Sequence, residues 1–149
     1  LDHAAKHVAN LPGAILEVGL GKGRTFDHLR RLFPDRQLYA FDREVHAPAD
    51  VVPDKQHLIL GDFRQSLDGA ATRLGRVAAL VHADIGSEDA ARDKVLADAI
   101  APLISRLLLF DGLVVADRAL KSSKLREWQF SPRAGRFPYF IYQAERARS

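Results

Sequence analysis

The stretch Ala14-Ile15-Leu16-Glu17-Val18-Gly19-Leu20-Gly21-Lys22-Gly23-Arg24-Thr25 restricts this chain more than any other, because an apolar run carrying one acid opens into three alternating glycines. Ala14 to Val18 has the length and composition of a buried strand. Thr25 to Phe33 puts Phe26, Leu29, Leu32 and Phe33 on one helical face before Pro34 stops the helix. The glycines therefore sit between a strand and a helix N-terminus. There they allow positive φ and close approach of a ligand, while unpaired amides at the helix start offer donors to a carboxylate or phosphate. A small-molecule cradle is the expectation, and a tight turn without a ligand is the plainer alternative.

Spacing selects the ligand. A dinucleotide fingerprint, Gly-x-Gly-x-x-Gly, counted from Gly19 and Gly21, needs its third glycine where this chain has Arg24. What stands instead is Glu-x-Gly-x-Gly-x-Gly, formed by Glu17, Gly19, Gly21 and Gly23. This pattern resembles the first motif of class I S-adenosyl-L-methionine-dependent methyltransferases. The methionyl end of that cofactor carries a carboxylate, suited to the loop amides, and an ammonium, suited to Glu17 directly or through water.

The remaining chain alternates strand and helix. Leu1 to Asn10 has helical spacing. Gln37 to Phe41 reads as a second strand ending at Asp42, an acid placed to accept both ribose hydroxyls of an adenosine. Arg43 to Gln56, with Pro48 and Pro53, reads as loop, and His57 to Leu60 as a third strand followed by Gly61-Asp62-Phe63. Asp62 serves equally well as the cap of a helix from Phe63 to Leu74. Val77 to Val81 is a fourth strand running into His82-Ala83-Asp84, and Ser87 is placed to cap a helix from Glu88. Pro102 suits the first turn of a second helical piece. Phe110-Asp111-Gly112 reads as a turn, Leu113 to Ala116 as a fifth strand ending at Asp117-Arg118, and Leu120 to Glu127 as weak helix. Trp128 to Phe130 and Phe137 to Ala144 read as two closing strands joined by the turn-rich Ser131 to Arg136.

This order argues a doubly wound α/β sheet, mostly parallel and seven-stranded, with helices on both faces and an antiparallel strand near the C-terminus; the resemblance implies that it is the Rossmann-like methyltransferase fold. Ligands on such sheets bind outside the carboxyl ends of the strands, where Glu17, Asp42, Asp62, Asp84 and Asp117 all fall. At 149 residues the expectation is a single domain, residues 1–149, with an N-terminus that is incomplete because the chain has no methionine. The absence of cysteine excludes a disulfide framework, a thiolate metal site and a cysteine nucleophile. A formal charge of +3 is spread among acids rather than gathered in a run, so nucleic acid is not implied. No apolar run is long enough for a membrane span and no leader is visible, so a cytoplasmic protein without membrane attachment is expected.

The resemblance extends along nearly the whole chain. Gly19 to Arg30, Phe41-Asp42-Arg43, Leu60-Gly61-Asp62 and Val81 to Gly86 look like a bacterial family described only as S-adenosyl-L-methionine methyltransferases. It implies transfer of a methyl group from S-adenosyl-L-methionine, leaving S-adenosyl-L-homocysteine. It also implies cofactor contacts from Glu17, Gly19, Leu20, Gly21, Gly23, Thr25, Asp42, Arg43, Asp62, Phe63 and Asp84, with Asp62 facing the adenine amino group and a neighbouring apolar side chain covering the ring. The acceptor is not named by it. Enzymes that methylate amino groups of bases or amides carry Asn or Asp followed by Pro-Pro and an aromatic after the fourth strand, whereas this chain has Asp84-Ile85-Gly86. A small-molecule acceptor is expected.

Asp84 and His82, two apart and thus on one face of a strand, are the candidate bases, with Asp117 and Arg118 as candidate acceptor contacts. His82 in a structural hydrogen bond, and Arg118 as partner of Asp117, are the bland readings of the same residues. Catechol-type O-methyltransferases hold magnesium with acids matching Asp84 and Asp117 and with an Asn where this chain has Arg118, a cation that repels the ion or pairs with a carboxylate. The expectation is therefore no metal, with that enzyme type as an alternative beside a nicotinamide dinucleotide enzyme and a non-catalytic S-adenosyl-L-methionine sensor. Trp128, Phe130, Phe137, Tyr139 and Phe140 either pack on their own sheet or form a contact in a homo-oligomer whose second subunit roofs the acceptor.

Overall fold

The computed structural model describes residues 1–128 and 139–146. In chain order these form α1 (Asp2–His7), β1 (Ala14–Val18), α2 (Arg24–Leu32), β2 (Leu38–Asp42), β3 (Leu58–Leu60), α3 (Phe63–Leu74), β4 (Ala78–Ala83), α4 (Ala90–Leu107), β5 (Leu108–Ala116), β6 (Leu125–Glu127) and β7 (Phe140–Ala144). The strands make a seven-stranded sheet in the order β3-β2-β1-β4-β5-β7-β6. The first five run parallel, and β7 is antiparallel to both β5 and β6. Strand order reverses between β1 and β4, which opens a crevice at their carboxyl ends.

Alternation along each strand divides the core into two layers. Leu16, Val18, Phe41 and Val81 pack against α3 and α4 through Leu67, Ile100 and Ile104, while Ile15, Ala40, Leu80 and Val115 pack against α1 and α2 through Val8, Phe26 and Leu29. By the same alternation Glu17 and His82 point to the α2 side. They lie in a cross-sheet row, Ala40, Glu17, His82, Val115 and Ile141, in which they are the two polar members.

Several boundaries differ from the sequence expectation. Helix α4 is one helix rather than two pieces, with Pro102 inside it. Proline removes the donor for the Asp98 carbonyl, but Asp98 and Pro102 are exposed, where water replaces that bond, and the buried stripe of Ala97, Ile100, Ala101 and Ile104 continues past it. Its N-cap is Asp89, whose side chain accepts from the Arg92 amide, and not Ser87. Strand β5 begins at Leu108 instead of Leu113, because the expected turn at Asp111-Gly112 is an irregularity within the strand, with Asp111 at φ 70°. Leu125–Glu127 is a short edge strand and not helix, since pairing with β7 satisfies its backbone. Residues 129–138 of the expected closing strands and turn, with Phe130 and Phe137, lie outside the described residues. Trp128 is half-buried against the His7 ring at 4.9 Å, Phe140 packs on the core, and Tyr139 is exposed. No helix among the described residues is long and apolar enough to cross a membrane.

Candidate active site

The glycine loop lies at the carboxyl end of β1, and its three glycines do three different things. A Cβ on Gly19, whose φ is +95°, would lie 2.1 Å from the Asp84 carbonyl oxygen, so this glycine lets the β1 and β4 ends close on one another. A Cβ on Gly23 would collide with Val51 of the β2–β3 connection at 2.7 Å. At Gly21, with φ +52°, a Cβ would meet nothing within 4 Å. Gly21 borders a hollow of about 350 Å³ whose walls include Gly19, Gly23, Thr25 and Asp84. A larger hollow of about 610 Å³ opens at the other end of the sheet, beside Leu11, Gly13 and Val77. There the Arg36 guanidinium is already held by the Val8, Ala9 and Gly13 carbonyls.

Asp42 ties β2 to the loop. Its Oδ2 accepts the Leu20 and Gly21 amides at 2.9 and 3.1 Å, and its Oδ1 accepts the Arg43 amide at 2.7 Å. Two loop amides expected to be open are thus already paired, a bond that no sequence spacing announces. The start of α2 has no side-chain cap, Gly23 being its N-cap, so the donors suited to an anion are those of the first turn at Arg24 and Thr25. Asp62 caps α3 by accepting the Arg64 and Gln65 amides, which is its bland sequence reading. Phe63 is buried in the α3-side core with 7% exposure.

Beneath the loop, the Glu17 carboxylate and the His82 imidazole are paired across β1 and β4, with Oε1 2.5 Å from Nδ1. Glu17 is 1% exposed and His82 4%. Oε2 of Glu17 is buried and accepts no hydrogen bond among the described residues. Burial pushes the Glu17 carboxyl up, and the bond to His82 only partly offsets that. Burial pushes the His82 imidazole down, but Glu17, with Asp84 and Asp117 beyond it, outweighs burial and raises it.

The ends of β4 and β5 form the rim. Asp117 accepts the Ile85 amide at Oδ1 and the Gly86 amide at Oδ2, at 3.1 and 2.9 Å. Arg118 donates to the Asp117 carbonyl and to Oδ2 of Asp93, and its Nη1 stands 3.6 Å from the Asp117 carboxylate. Asp93, on the inner face of α4, also accepts the Ser87 amide and hydroxyl at 2.7 and 2.6 Å. Burial pushes its carboxyl up, yet the Ser87 and Arg118 donors together outweigh burial and lower it. The signal for Asp93 in the sequence is its spacing, four residues before Ala97 and seven before Ile100, which puts it on the same buried helix face. Asp84 stands apart. It is exposed and lines the hollow, and partial desolvation of its carboxyl and then the neighbouring Asp117 raise its pKa. Both Asp117 oxygens thus accept amides with a guanidinium beside them, and no cluster of three or more metal-ligating side chains occurs among the described residues.

The profile of a family described as S-adenosyl-L-methionine methyltransferase matches residues 1–144. The chain belongs to this family. Its cofactor is accordingly S-adenosyl-L-methionine. No protein of curated function matches the chain. Among solved structures, an S-adenosyl-L-methionine methyl transferase from Silicibacter pomeroyi DSS-3 is 38% identical with a TM-score of 0.89, over 96% of this chain and 88% of that one. The antibiotic-resistance methyltransferase Kmr is 15% identical, with a TM-score of 0.62 over 93% of this chain and 90% of that one. MycE of the mycinamycin pathway, in complex with Mg and SAH, is 19% identical, with a TM-score of 0.59 over 97% of this chain and 46% of that one. The last two share the fold alone.

The residues present fit the cofactor. Gly21 leaves open the space a side chain would take, α2 starts uncapped beside it, and Glu17, two residues before Gly19 and outside the hollow's lining, keeps a buried oxygen with no hydrogen-bond partner among the described residues.

Proposed function

We propose that this methyltransferase acts on a small acceptor and that Asp84 takes the acceptor's proton. The observation that carries the reading is that Asp84 is the one carboxylate among the described residues lining the glycine-loop hollow, and that partial desolvation and Asp117 raise its pKa. A carboxyl raised above its ordinary value is a better proton acceptor than an ordinary aspartate, and reach into the hollow is the geometric requirement for a general base. When bound, S-adenosyl-L-methionine supplies a methyl group already activated by a sulfonium.

The chain's own part is binding, orientation and proton removal. Glu17 would hold the ammonium, and the first-turn amides of α2 at Thr25 the methionyl carboxylate. Asp42 and Arg43 would meet the ribose, with one acceptor site on Oδ1 of Asp42 still available beyond its three amide bonds. Asp62, whose Oδ2 is not used by the cap, would face the adenine, with Phe63 in the core behind it. Gly19, Leu20, Gly21 and Gly23 shape the surface against which the cofactor lies. Asp117 fixes the Ile85-Gly86 turn, and Arg118, anchored on Asp93, borders the acceptor side. His82 is buried behind Glu17 and does not face the hollow's lining, so Asp84 is the better base of the two.

Formation of S-adenosyl-L-homocysteine from S-adenosyl-L-methionine, measured across a panel of small hydroxyl and amine acceptors, tests this reading. Acceptor-dependent turnover should fall by about 10²- to 10⁴-fold in Asp84→Asn, with S-adenosyl-L-homocysteine affinity held within a few-fold. Cofactor binding without turnover on any acceptor would favour the sensor, and full turnover in Asp84→Asn would remove Asp84 as the base.

A further inference from the structure

We infer that His82 is a positioning residue for the amino-acid end of the cofactor: it holds Glu17 through Oε1 and leaves Oε2 for the cofactor's ammonium. This deepens the reading of Glu17 given above and rests on it. Three observations carry it. Glu17 and His82 are register partners on neighbouring parallel strands, so the backbone fixes their contact. Both point to the α2 side, the side on which Leu20 of the glycine loop is buried. Oε1 is bonded to Nδ1 at 2.5 Å while Oε2, equally buried, has no partner among the described residues.

A buried carboxylate with a free lone-pair set is costly unless some donor reaches it. The charged groups acting on the pair from the adjoining strand ends are acids: Asp42 at the end of β2, Asp84 after β4 and Asp117 after β5. Arg118 on the rim is engaged by Asp93 and Asp117. Oε2 has no hydrogen-bond partner among the described residues, and the surrounding acids favour a cation arriving with a ligand, directly or through a bridging water. The bond from His82 lowers the Glu17 carboxyl against the upward push of burial, so losing His82 leaves that push less opposed.

The charge on the pair sets the sign of the pH dependence. With one shared proton the pair is neutral overall, and after that proton leaves it carries one negative charge. The ammonium binds the negative form more tightly, so binding should release protons and affinity should rise as pH passes upward through the raised His82 pKa, above the ordinary histidine value of about 6.5.

Titration calorimetry of the full chain with S-adenosyl-L-homocysteine, in buffers of different ionisation enthalpy from about pH 6 to 9, reads both effects. 5′-Methylthioadenosine, which lacks the amino-acid end, is the control probe. His82→Leu should weaken S-adenosyl-L-homocysteine by about ten- to a hundredfold and leave 5′-methylthioadenosine within about twofold. His82→Gln, which keeps a donor to Oε1, should recover much of the loss. Equal weakening of both probes, or unchanged affinity in both variants, would overturn the inference while leaving the cofactor reading intact. If His82→Leu does not fold, the wild-type pH profile and His82→Gln decide: a flat affinity with no proton release would overturn it. Absence of any S-adenosyl-L-homocysteine binding would overturn the cofactor reading itself, and the inference with it.

Discussion

Gly21→Val separates a glycine needed by the ligand from glycines needed by the fold. At φ +52° any side chain is strained, by roughly 1–2 kcal/mol for an L-residue in the left-handed region, with a β-branched one at the upper end. Nothing lies within 4 Å of the new Cβ, so no clash adds to that strain. For a chain of this size each kcal/mol shifts the melting temperature by about 2–4 °C, giving an expected drop of about 2–8 °C and a folded variant. The cost to the cofactor is of another order, because the valine methyls would stand in the hollow beside Thr25 and Asp84. S-adenosyl-L-homocysteine affinity should fall by at least about a hundredfold, equivalent to ~2.7 kcal/mol. Calorimetry measures the loss directly. A thermal scan supplies a second reading, since a ligand at about 100 times its Kd stabilises the native state by about 2.7 kcal/mol, a shift that Gly21→Val should lack. A folded variant that binds within a few-fold of wild type would refute the placement of the cofactor against Gly21.

Gly19→Ala should behave oppositely, because its Cβ must displace the Asp84 carbonyl. A loss of about 1–3 kcal/mol of stability in denaturant titration is expected, and an unchanged midpoint would mean the two strand ends are not so closely packed. Asp42→Ala should weaken S-adenosyl-L-homocysteine by about 1–3 kcal/mol in calorimetry, through the ribose contact and through release of the Leu20 and Gly21 amides. Normal affinity would remove Asp42 from the site. The lowered Asp93 pKa means that its carboxylate stabilises the fold above the ordinary aspartate value of about 3.9 and that this contribution fades as pH falls through the lower folded value. Wild type should therefore exceed Asp93→Asn in stability near neutral pH and converge with it in acid, whereas a pH-independent gap in thermal scans would contradict the assignment.

The strand, loop and helix from Ala14 to Leu32 were legible because local signals agree there: a buried apolar run, glycines in a row, an amphipathic helix. The acids at strand ends were legible because a parallel α/β sheet places such ends together whatever the details of its connections. Helix α4 runs on through Pro102 because the buried stripe of Ala97, Ile100, Ala101 and Ile104 outweighs proline's preference for a first turn. Strand β6 was misread because Leu125-Arg126-Glu127 has no strand pattern of its own and exists through its pairing with β7. The bonds of Asp42 to the glycine loop and of Glu17 to His82 depend on β1 lying between β2 and β4, a fact of topology rather than of spacing. What the sequence did offer was two polar residues inside otherwise apolar strands, which was a sign of pairing rather than of exposure.

Calorimetric titration of the wild-type chain with S-adenosyl-L-homocysteine and, separately, with NAD tests the central claim most directly. The arrangement of Glu17, the Gly21 face, the uncapped start of α2 and Asp42 predicts saturable binding of S-adenosyl-L-homocysteine and no heat of binding with NAD. Binding of NAD without S-adenosyl-L-homocysteine would contradict it.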